Sequence, residues 1–363
     1  MVEMKVLVGM SGGVDSSVAA ALLRDAGHEV VGVTMRLWGG DSDTGCCSVS
    51  DVDDARRAAQ QLGVEHVVFN FSDDFDRHVV GPYVDAHRNG RTPNPCIECN
   101  RHLKFDRLVS RAEQLGFDAV ATGHHARVGT HVDGSFRLER GADRAKDQSY
   151  VLHMLDAQAL KGVLLPVGEF TKDEVRSMAS DLGLRTAAKP DSQDVCFIPT
   201  TDGRRGFLES RMSFTPARVV DREGVEVGEV PAVELVTLGQ RRGLGLPGGG
   251  PVRYVVGIEH SVDHDAPRVI VSDAQDLLTV GERVGSVVWA GDPEPGQLLV
   301  QTSAHGDPIP AEVSMVGGGS VDIRWTLRQP RVAPGQSVVF YDPSDRWVVG
   351  GGIVEPPAVP VRL

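Results

Sequence analysis

A short glycine- and serine-rich stretch, GMSGGVDSS, follows the apolar run KVLV near the amino terminus. Its glycines allow a sharp turn, and a helix starting after Gly13 would offer unpaired N–H groups to an anion. Ser11, Ser16 and Ser17 add hydroxyl donors. Asp15 suits magnesium or the organisation of the turn, because a bare carboxylate repels phosphate. The stretch predicts a phosphate-binding loop between a strand and a helix.

Two common phosphate-binding motifs are excluded at this loop. No Lys follows its last glycine, as the Walker A pattern G-x-x-x-x-G-K-[ST] requires. The dinucleotide pattern G-x-G-x-x-G is also missing. A glycine-rich turn without any ligand is the remaining alternative.

Cysteines supply the second chemical feature, in the segments GRTPNPCIECNRHLKF and KPDSQDVCFIPT. The two prolines of TPNP disfavour a helix, so Cys96 and Cys99 are predicted on a stiff, exposed loop before a helix from about Arg101. An unperturbed thiol has a pKa of about 8.5. Arg101, His102 and Lys104 would favour the thiolate of Cys99, which suits a nucleophile.

The spacing of the cysteines alone leaves several roles open. A single C-x-x-C is typical of half a zinc site, a redox pair, or one functional thiol beside an incidental neighbour. No second pair follows at zinc-finger spacing, and Cys196 by itself is typical of a buried structural cysteine. Cys46 and Cys47 are adjacent, a poor geometry for joint action, and receive no role.

The elements that must position these residues follow a β–α alternation up to about residue 205. Helical patterns cover residues 14–26, 52–62, 101–115 and 173–182, the last opened by a capping box at Thr171–Glu174. Apolar strand-like runs separate them, which predicts a doubly wound parallel sheet with helices on both faces. Short Val-rich runs then predict a small β-rich domain and a C-terminal β-barrel. The expected domains are 1–205, 206–274 and 275–363.

Composition restricts the function classes. The net charge of −13 argues against broad, nonspecific nucleic-acid binding, although a local basic face is compatible with it. Five cysteines, all within the first 200 residues, do not resemble a secreted disulfide framework. No apolar stretch approaches the roughly 18 residues of a membrane span, and no basic leader precedes the first strand. We therefore expect a soluble, cytoplasmic protein that does not bind membranes.

Seven ordered segments carry a family resemblance. SGGVDS resembles the signature of ATP pyrophosphatases, which split ATP between the α and β phosphates and adenylate an acceptor. With GRTPNPCIECN, ATGHHARV, KDQSYVL, DSQDVCFI, LGQRRGLGL and APGQSVVFYD, the chain resembles the tRNA-specific 2-thiouridylases, which install sulfur at C2 of the wobble uridine. The resemblance implies ATP with Mg²⁺, a tRNA with a wobble uridine, and a cysteine desulfurase or sulfur-relay protein as partner.

The resemblance also implies roles for individual residues. Cys99 would be the nucleophile and Cys196 the persulfide carrier, the two forming a disulfide during turnover. The residues implied for ATP are Gly9, Met10, Ser11, Gly12, Gly13, Val14, Asp15, Ser16, Met35 and Gly123. Those implied for tRNA are Asn94, Pro95, Cys96, His124, Lys146, Asp147, Gln148, Arg324, Trp325 and Gln336. A basic track for RNA phosphates is expected from Arg137, Arg140, Arg144, Lys146, Arg241, Arg242, Arg324, Arg328 and Arg331.

Departures from the family pattern keep alternatives open. Position 96 is Cys where other members have Asp, so an iron–sulfur cluster held by Cys96, Cys99 and Cys196 is the alternative to a persulfide. VGEVPAVELVTLGQ lacks the family's His-Gly pair, and RWTLRQP replaces its Arg-Tyr-Arg. For Met35 the alternative is core packing. The competing functions are another adenylating enzyme, such as an amide-forming ligase or a nucleobase synthase, and a noncatalytic tRNA-binding protein.

Overall fold

The computed structural model describes residues 3–37, 49–191, 195–198, 203–248, 250–259 and 266–357. Its strands are β1 Lys5–Gly9, β2 Glu29–Arg36, β3 Glu65–Asn70, β4 Ala119–Thr122, β5 Ala126–Thr130, β6 Phe136–Arg140, β7 Val163–Leu164, β8 Ala217–Val220, β9 Glu226–Val230, β10 Tyr254–Glu259, β11 Arg268–Ser272, β12 Leu278–Trp289, β13 Gly296–Gln301, β14 Ile309–Gly317, β15 Ser320–Pro330, β16 Ser337–Tyr341 and β17 Val348–Val354.

The α-helices are α1 Val14–Asp25, α2 Val49–Leu62, α3 Ser72–Phe75, α4 Gly81–Arg88, α5 Pro95–Glu98, α6 Leu108–Gln114, α7 Ala157–Leu160, α8 Lys172–Asp181 and α9 Gly203–Glu209. Two wider, π-helical segments span Asp76–Val80 and Cys99–Arg107. Single 3₁₀ turns span Ser149–Leu152, Pro166–Glu169, Arg185–Ala188 and Val233–Leu235. The predicted capping box at the start of α8 is present, with Thr171 and Glu174 bonding to each other's backbone N–H groups.

A parallel sheet of five strands, in the order β3-β2-β1-β4-β7, forms the amino-terminal part. The chain steps from β1 outward through β2 and β3 on one side, and through β4 and β7 on the other. The order therefore reverses between β1 and β4. In open α/β sheets, ligands bind outside the carboxyl ends of the strands at such a reversal.

Helices cover both faces of this sheet, as predicted. Along β1, Val6 and Val8 face α1, α2 and α8, whereas Leu7 faces α6. This alternation follows from the two-residue repeat of a strand, and burial on both faces explains its continuous apolar run. The doubly wound α/β fold is confirmed.

Two further sheets follow in the second half of the chain. A mixed four-stranded sheet, β10-β11-β8-β9, has its own core of valines. The last six strands close into the predicted barrel, in the order β12-β15-β14-β13-β16-β17. The expected domain boundaries after residues 205 and 274 stay predictions. Within the described ranges, no helix has the length and apolar character required to cross a membrane.

The barrel packs directly on the amino-terminal part. Its residues Val339, Tyr341 and Val348 share one hydrophobic cluster with residues of β6 and the 149–165 segment. The Tyr150 hydroxyl donates to the Ser337 carbonyl at 2.7 Å, and the Thr92 N–H donates to the Pro334 carbonyl at 2.8 Å. The barrel therefore lies beside the segment that leads into the Cys96–Cys99 region.

Candidate active site

The predicted phosphate-binding loop joins β1 to α1, and Gly13 is the N-cap of that helix. Gly12 has a φ of +74°, and a Cβ there would lie 2.3 Å from the Asp51 carbonyl oxygen, so only glycine fits. The Ser16 hydroxyl donates to the Gly13 carbonyl and accepts from the Ser11 N–H, each at 3.2 Å. The first N–H groups of α1 have no intrahelical acceptor and remain available to an anion.

Several residues implied for ATP binding also have packing roles. Met10 and Val14 are buried in the core beside α1, and the Met10 carbonyl accepts from the Thr34 hydroxyl at 2.8 Å. Met35 packs, half-buried, between the α6 core and the cluster around Cys99. Gly9 is half-buried at the end of β1. Both interpretations of Met35 therefore remain compatible with its position.

Gly123 brings the carboxyl end of β4 against this loop. A Cβ at Gly123 would lie 2.5 Å from the Ser16 nitrogen and 2.7 Å from the Asp15 carbonyl carbon. A side chain at this position would therefore push β4 away from the first turn of α1. The close approach places both candidate ATP-binding segments at the reversal of the strand order.

Two histidines follow Gly123. His125 is buried, and its Nε2 lies 3.1 Å from the Asp15 carboxylate. His124 is bonded through Nδ1 to the Thr122 hydroxyl at 2.7 Å. Burial lowers the pKa of His124 well below its usual value, and the nearby Lys104 ammonium adds to this effect. His124 is therefore neutral at pH 7.

Two lysines distant in sequence reach the loop, and the sequence reasoning did not identify them. The Lys172 ammonium lies 2.8 Å from both Asp15 carboxylate oxygens and 2.9 Å from Asp191. The Lys189 ammonium donates to the Gly12 carbonyl at 3.0 Å. The capping box, which is visible in the sequence, indicated that α8 begins at Lys172. No local signal indicated the contact with Asp15.

Asp15 and Asp191 are held ionised by these contacts. Burial alone would raise the pKa of Asp15, but hydrogen bonds from His125 and Lys172 outweigh it and the pKa is lowered. Burial likewise opposes ionisation of Asp191, whereas Lys172 and Lys146 bring its pKa well below the usual value. The loop is therefore bordered by an alternating chain of carboxylates and ammonium groups.

The predicted exposed loop at Cys96 and Cys99 is wrong, because helix α5 begins at Pro95. Proline fits the first helical position, where its missing N–H would have no acceptor. The Asn94 side chain caps the helix by accepting from the Cys96 N–H at 3.1 Å. Cys99 then begins the π-helical segment and is 8% exposed. Such wide turns occur frequently at functional sites.

The surroundings of Cys99 are also less basic than the sequence suggested. His102 lies 3.3 Å from the Glu98 carboxylate and 3.2 Å from that of Asp106. Carboxylates therefore offset part of the expected positive charge on this helix. Cys99 instead belongs to a hydrophobic cluster with Leu37 and Phe197.

Cys196 packs against the same cluster, although it is distant from Cys99 in sequence. Met35 and Leu37, which lie at and just beyond the carboxyl end of β2, contact this cluster too. Both cysteines therefore lie near the carboxyl ends of the parallel strands, as the phosphate-binding loop does. Cys46 and Cys47 fall outside the described residues.

A metal cluster is not supported by the cysteine positions. Cys96 is exposed, Cys99 is buried and Cys196 is intermediate. Across the described part of the chain, which includes all three, no group of three His, Cys, Asp or Glu side chains is arranged to hold a metal ion. These residues therefore do not fit an iron–sulfur cluster.

Most of the residues implied for tRNA binding fall into two groups of contacts. One lies between α5 and the barrel: Pro95 is buried, Cys96 is exposed, and the Gln336 amide donates to the Thr92 carbonyl. In the other, Lys146 lies 2.9 Å from Asp191 and Gln148 accepts from the His125 N–H at 2.8 Å. The first group adjoins α5 and the π-helical segment that begins at Cys99, and the second group adjoins the phosphate-binding loop.

Asp147 and Trp325 have their side chains engaged inside the protein. Asp147 forms an ion pair of 2.8 Å with Arg140, and both side chains are nearly inaccessible. Trp325 is 5% exposed in the barrel core, whereas its neighbour Arg324 is exposed. The alternation of β15 explains this, because Ile323 and Trp325 share the inner face.

The expected basic track needs correction at two residues. Arg137 and Arg140 are buried, and each is paired with two carboxylates. Arg144 is paired with Asp345, which also binds Arg140. Arg137 and Arg140 join β6 to the barrel instead of presenting charge to RNA. The pair of Arg140 and Asp345 joins residues 205 positions apart, which composition cannot reveal.

Comparisons with known proteins give two domain matches and many full-length relatives. A family model described as "tRNA methyl transferase HUP domain" matches residues 4–200, and one described as "aminomethyltransferase beta-barrel domain" matches residues 281–354. A protein of Chloroflexus aurantiacus named "tRNA-specific 2-thiouridylase MnmA" is 46% identical, covering 98% of this chain and 99% of the relative. A protein with the same name from Carboxydothermus hydrogenoformans is 43% identical, and the match covers 97% of this chain and 97% of that relative. Another from Clostridium perfringens is 42% identical, and the match covers 98% of this chain and 99% of that relative.

Proposed function

This chain belongs to the tRNA-specific 2-thiouridylase family, and we propose that it uses ATP to replace the C2 oxygen of the tRNA wobble uridine with sulfur. The observation that carries the proposal is the position of Cys99 and Cys196. They belong to one hydrophobic cluster near the carboxyl ends of the parallel strands, where the phosphate-binding loop also lies. Activation by ATP and substitution by sulfur then take place in one site. A tRNA substrate also favours the cytoplasm.

The loop binds the phosphates of ATP through the first turn of α1, with Gly123 beside it and Met35 near the carboxyl end of the neighbouring strand β2. Uracil O2 forms a bond to the α phosphorus while the bond to the α–β bridging oxygen breaks, and pyrophosphate leaves with the electron pair. The uracil N3 proton passes to solvent, so the base of the adenylate is uncharged while its α phosphate keeps one negative charge. Both Asp15 oxygens are bound by Lys172, so the phosphates of ATP would be the main ligands of Mg²⁺, which would neutralise part of their negative charge.

Sulfur reaches Cys196 as a persulfide from a cysteine desulfurase or a sulfur-relay protein. The terminal sulfur attacks C2, and AMP departs with the electron pair of the C2–O bond. The Cys99 thiolate then attacks the Cys196 sulfur, and the electron pair of the broken S–S bond moves to the sulfur on C2. N3 regains a proton from solvent, which gives the thiocarbonyl of 2-thiouridine. Cys99 and Cys196 are now joined as a disulfide, and a dithiol reductant restores both thiols.

The target uridine approaches between α5 and the barrel. Asn94, Pro95 and Cys96 lie where the chain enters the cysteine helix, and Gln336 is bonded to the same segment. His124 lies between this helix and the loop. An unpaired base of a single-stranded anticodon loop is the kind of RNA element that proteins recognise in this way.

The test is incubation of the protein with unmodified tRNA, ATP, magnesium, a persulfide donor and a dithiol. We expect 2-thiouridine by nucleoside mass spectrometry, together with AMP and pyrophosphate. The matched control is the same tRNA with cytidine at the wobble position, which should gain no sulfur. Formation of ADP, or activity retained in both Cys99→Ser and Cys196→Ser, would instead indicate another ATP-dependent enzyme or a tRNA-binding protein.

A further inference from the structure

Helix α5 carries an exposed thiol, Cys96, three positions before Cys99. The sulfur transfer described above gives this thiol no chemical step. We propose that Cys96 resolves the Cys99–Cys196 disulfide: it takes the place of Cys196 and presents a Cys96–Cys99 disulfide to a dithiol reductant at the surface. This proposal rests on the proposed function, because it assigns a residue to the regeneration of the two thiols.

Cys96 and Cys99 are neighbours on one helical turn. The Cys99 N–H donates to the Cys96 carbonyl, so the backbone between the two residues is tightly wound. On a helix, the Cβ atoms of residues three positions apart are separated by about 5–6 Å. A disulfide needs about 3.5–4.5 Å between these atoms, so a shift of about 1–2 Å closes the bond. The spacing is therefore compatible with a Cys96–Cys99 disulfide.

The three thiols differ in their access to solvent. Cys96 is exposed and Cys196 is intermediate, whereas Cys99 is only 8% exposed. Cys99 belongs to a hydrophobic cluster and Cys196 packs against the same cluster, so a dithiol on another protein has restricted access to their disulfide. Cys96 is the thiol of the three that such a reductant reaches most easily.

The residues before Cys96 fix its position beside Cys99. The Asn94 side chain accepts from the Cys96 N–H at 3.1 Å, and Pro95 occupies the first position of α5 with its φ angle restrained by the ring. Cys96 therefore lies on a capped helical turn next to its target. A thiol fixed in this way attacks as an intramolecular nucleophile, and its effective concentration greatly exceeds that of a reductant in solution.

The step is a thiol–disulfide exchange. Cys96 loses its proton to solvent, and its thiolate attacks the Cys99 sulfur of the Cys99–Cys196 disulfide. That S–S bond breaks, and its electron pair moves to the Cys196 sulfur, which takes a proton from solvent. The Cys196 thiol is thereby restored for the next persulfide.

The second exchange removes the disulfide from the protein. A dithiol reductant attacks the exposed Cys96 sulfur, and the electron pair of the Cys96–Cys99 bond moves to Cys99. The second thiol of the reductant then displaces Cys96 and closes the reductant's own disulfide. The reductant supplies two electrons and two protons, so both Cys96 and Cys99 return to thiols.

The test follows the disulfides formed in a single turnover without reductant. Protein carrying the persulfide is mixed with ATP, magnesium and wobble-uridine tRNA, quenched with acid at successive times, alkylated and mapped by peptide mass spectrometry. We expect the Cys99–Cys196 disulfide to form first and a Cys96–Cys99 disulfide to grow afterwards at its expense. Cys96→Ser should keep the Cys99–Cys196 disulfide, whereas Cys47→Ser, the matched loss of another thiol, should behave as wild type does.

A second measurement compares a large and a small reductant. Oxidised protein from the turnover is mixed with thioredoxin or with dithiothreitol, and the return of the Cys196 thiol is followed by alkylation. In Cys96→Ser we expect thioredoxin to act about 10-fold or more slowly than in wild type, since the intramolecular attack is lost. Dithiothreitol is small enough to enter the cluster, so its rate should change less than about threefold.

The outcomes separate the possible failures. If wild type forms neither 2-thiouridine nor a disulfide, the proposed function fails together with this proposal. If 2-thiouridine and the Cys99–Cys196 disulfide form while Cys96 stays reduced at all times, the Cys96 proposal alone is overturned. Equal slowing of both reductants in Cys96→Ser overturns it too, because it indicates altered packing. Cys96→Ala replaces Cys96→Ser if the serine variant does not fold, with the same expectations.

Discussion

Substitution of Gly123 by alanine tests how closely β4 approaches the phosphate-binding loop. The added Cβ would lie 2.5 Å from the Ser16 nitrogen and 2.7 Å from the Asp15 carbonyl carbon, whereas ordinary contacts begin near 3.4 Å. Backbone on both sides must therefore separate by about 1 Å. Overpacking of this kind costs about 1–3 kcal/mol. For a domain of roughly 200 residues, this lowers the midpoint of thermal unfolding by about 2–12 °C.

The assay is thermal unfolding of Gly123→Ala with and without ATP. We expect a lower midpoint without ATP and a smaller increase on adding it, because the shifted turn binds phosphate less well. Gly162→Ala is the matched control, since a Cβ there meets nothing within 4 Å. The reasoning is refuted if Gly123→Ala unfolds and responds to ATP as Gly162→Ala does.

Two further substitutions test the junction with the barrel. Burial lowers the pKa of His153 from the usual 6.5 to about 4. Between these two pH values the unfolded chain binds a proton that the folded chain does not. The free energy of unfolding therefore falls as the pH falls through this range. His153→Gln should flatten that part of the urea-unfolding profile, and an unchanged slope would contradict this. Asp147→Asn should reduce the free energy of unfolding by about 1–2 kcal/mol, because it weakens one charged hydrogen bond of Arg140 while Asp345 still pairs with that arginine. Equilibrium urea unfolding and tRNA binding distinguish the roles, since lost tRNA affinity at unchanged stability would favour a direct RNA contact.

The sequence predicted the sheet and the loop well because their signals are local. Buried parallel strands read as apolar runs, and Gly12 with Gly13 marks the turn before α1. The failure at Cys96 and Cys99 has a local cause as well. Two prolines suggested a loop, but Pro95 occupies the one helical position that favours proline, and Asn94 caps it.

Other parts of the site depend on tertiary contacts that no local pattern contains. Lys172 meets Asp15 across 157 positions of the chain, and Arg140 meets Asp345 across 205. Asp15 was expected at the ATP site and Arg140 on a basic track for RNA, but the sequence assigned no site role to Lys172 or Asp345 and indicated neither pairing. The burial of Trp325, by contrast, was readable from the alternation of β15.

The most direct test of the central claim follows one sulfur atom. Protein carrying an isotopically labelled persulfide is mixed with ATP, magnesium and excess wobble-uridine tRNA for a single turnover. Peptide and nucleoside mass spectrometry then locate the label, and the AMP released is counted. The account predicts that the label leaves the Cys196 peptide for 2-thiouridine, with one AMP per sulfur and a new Cys99–Cys196 disulfide. Label that starts on another cysteine, or sulfur transfer without AMP, would contradict it.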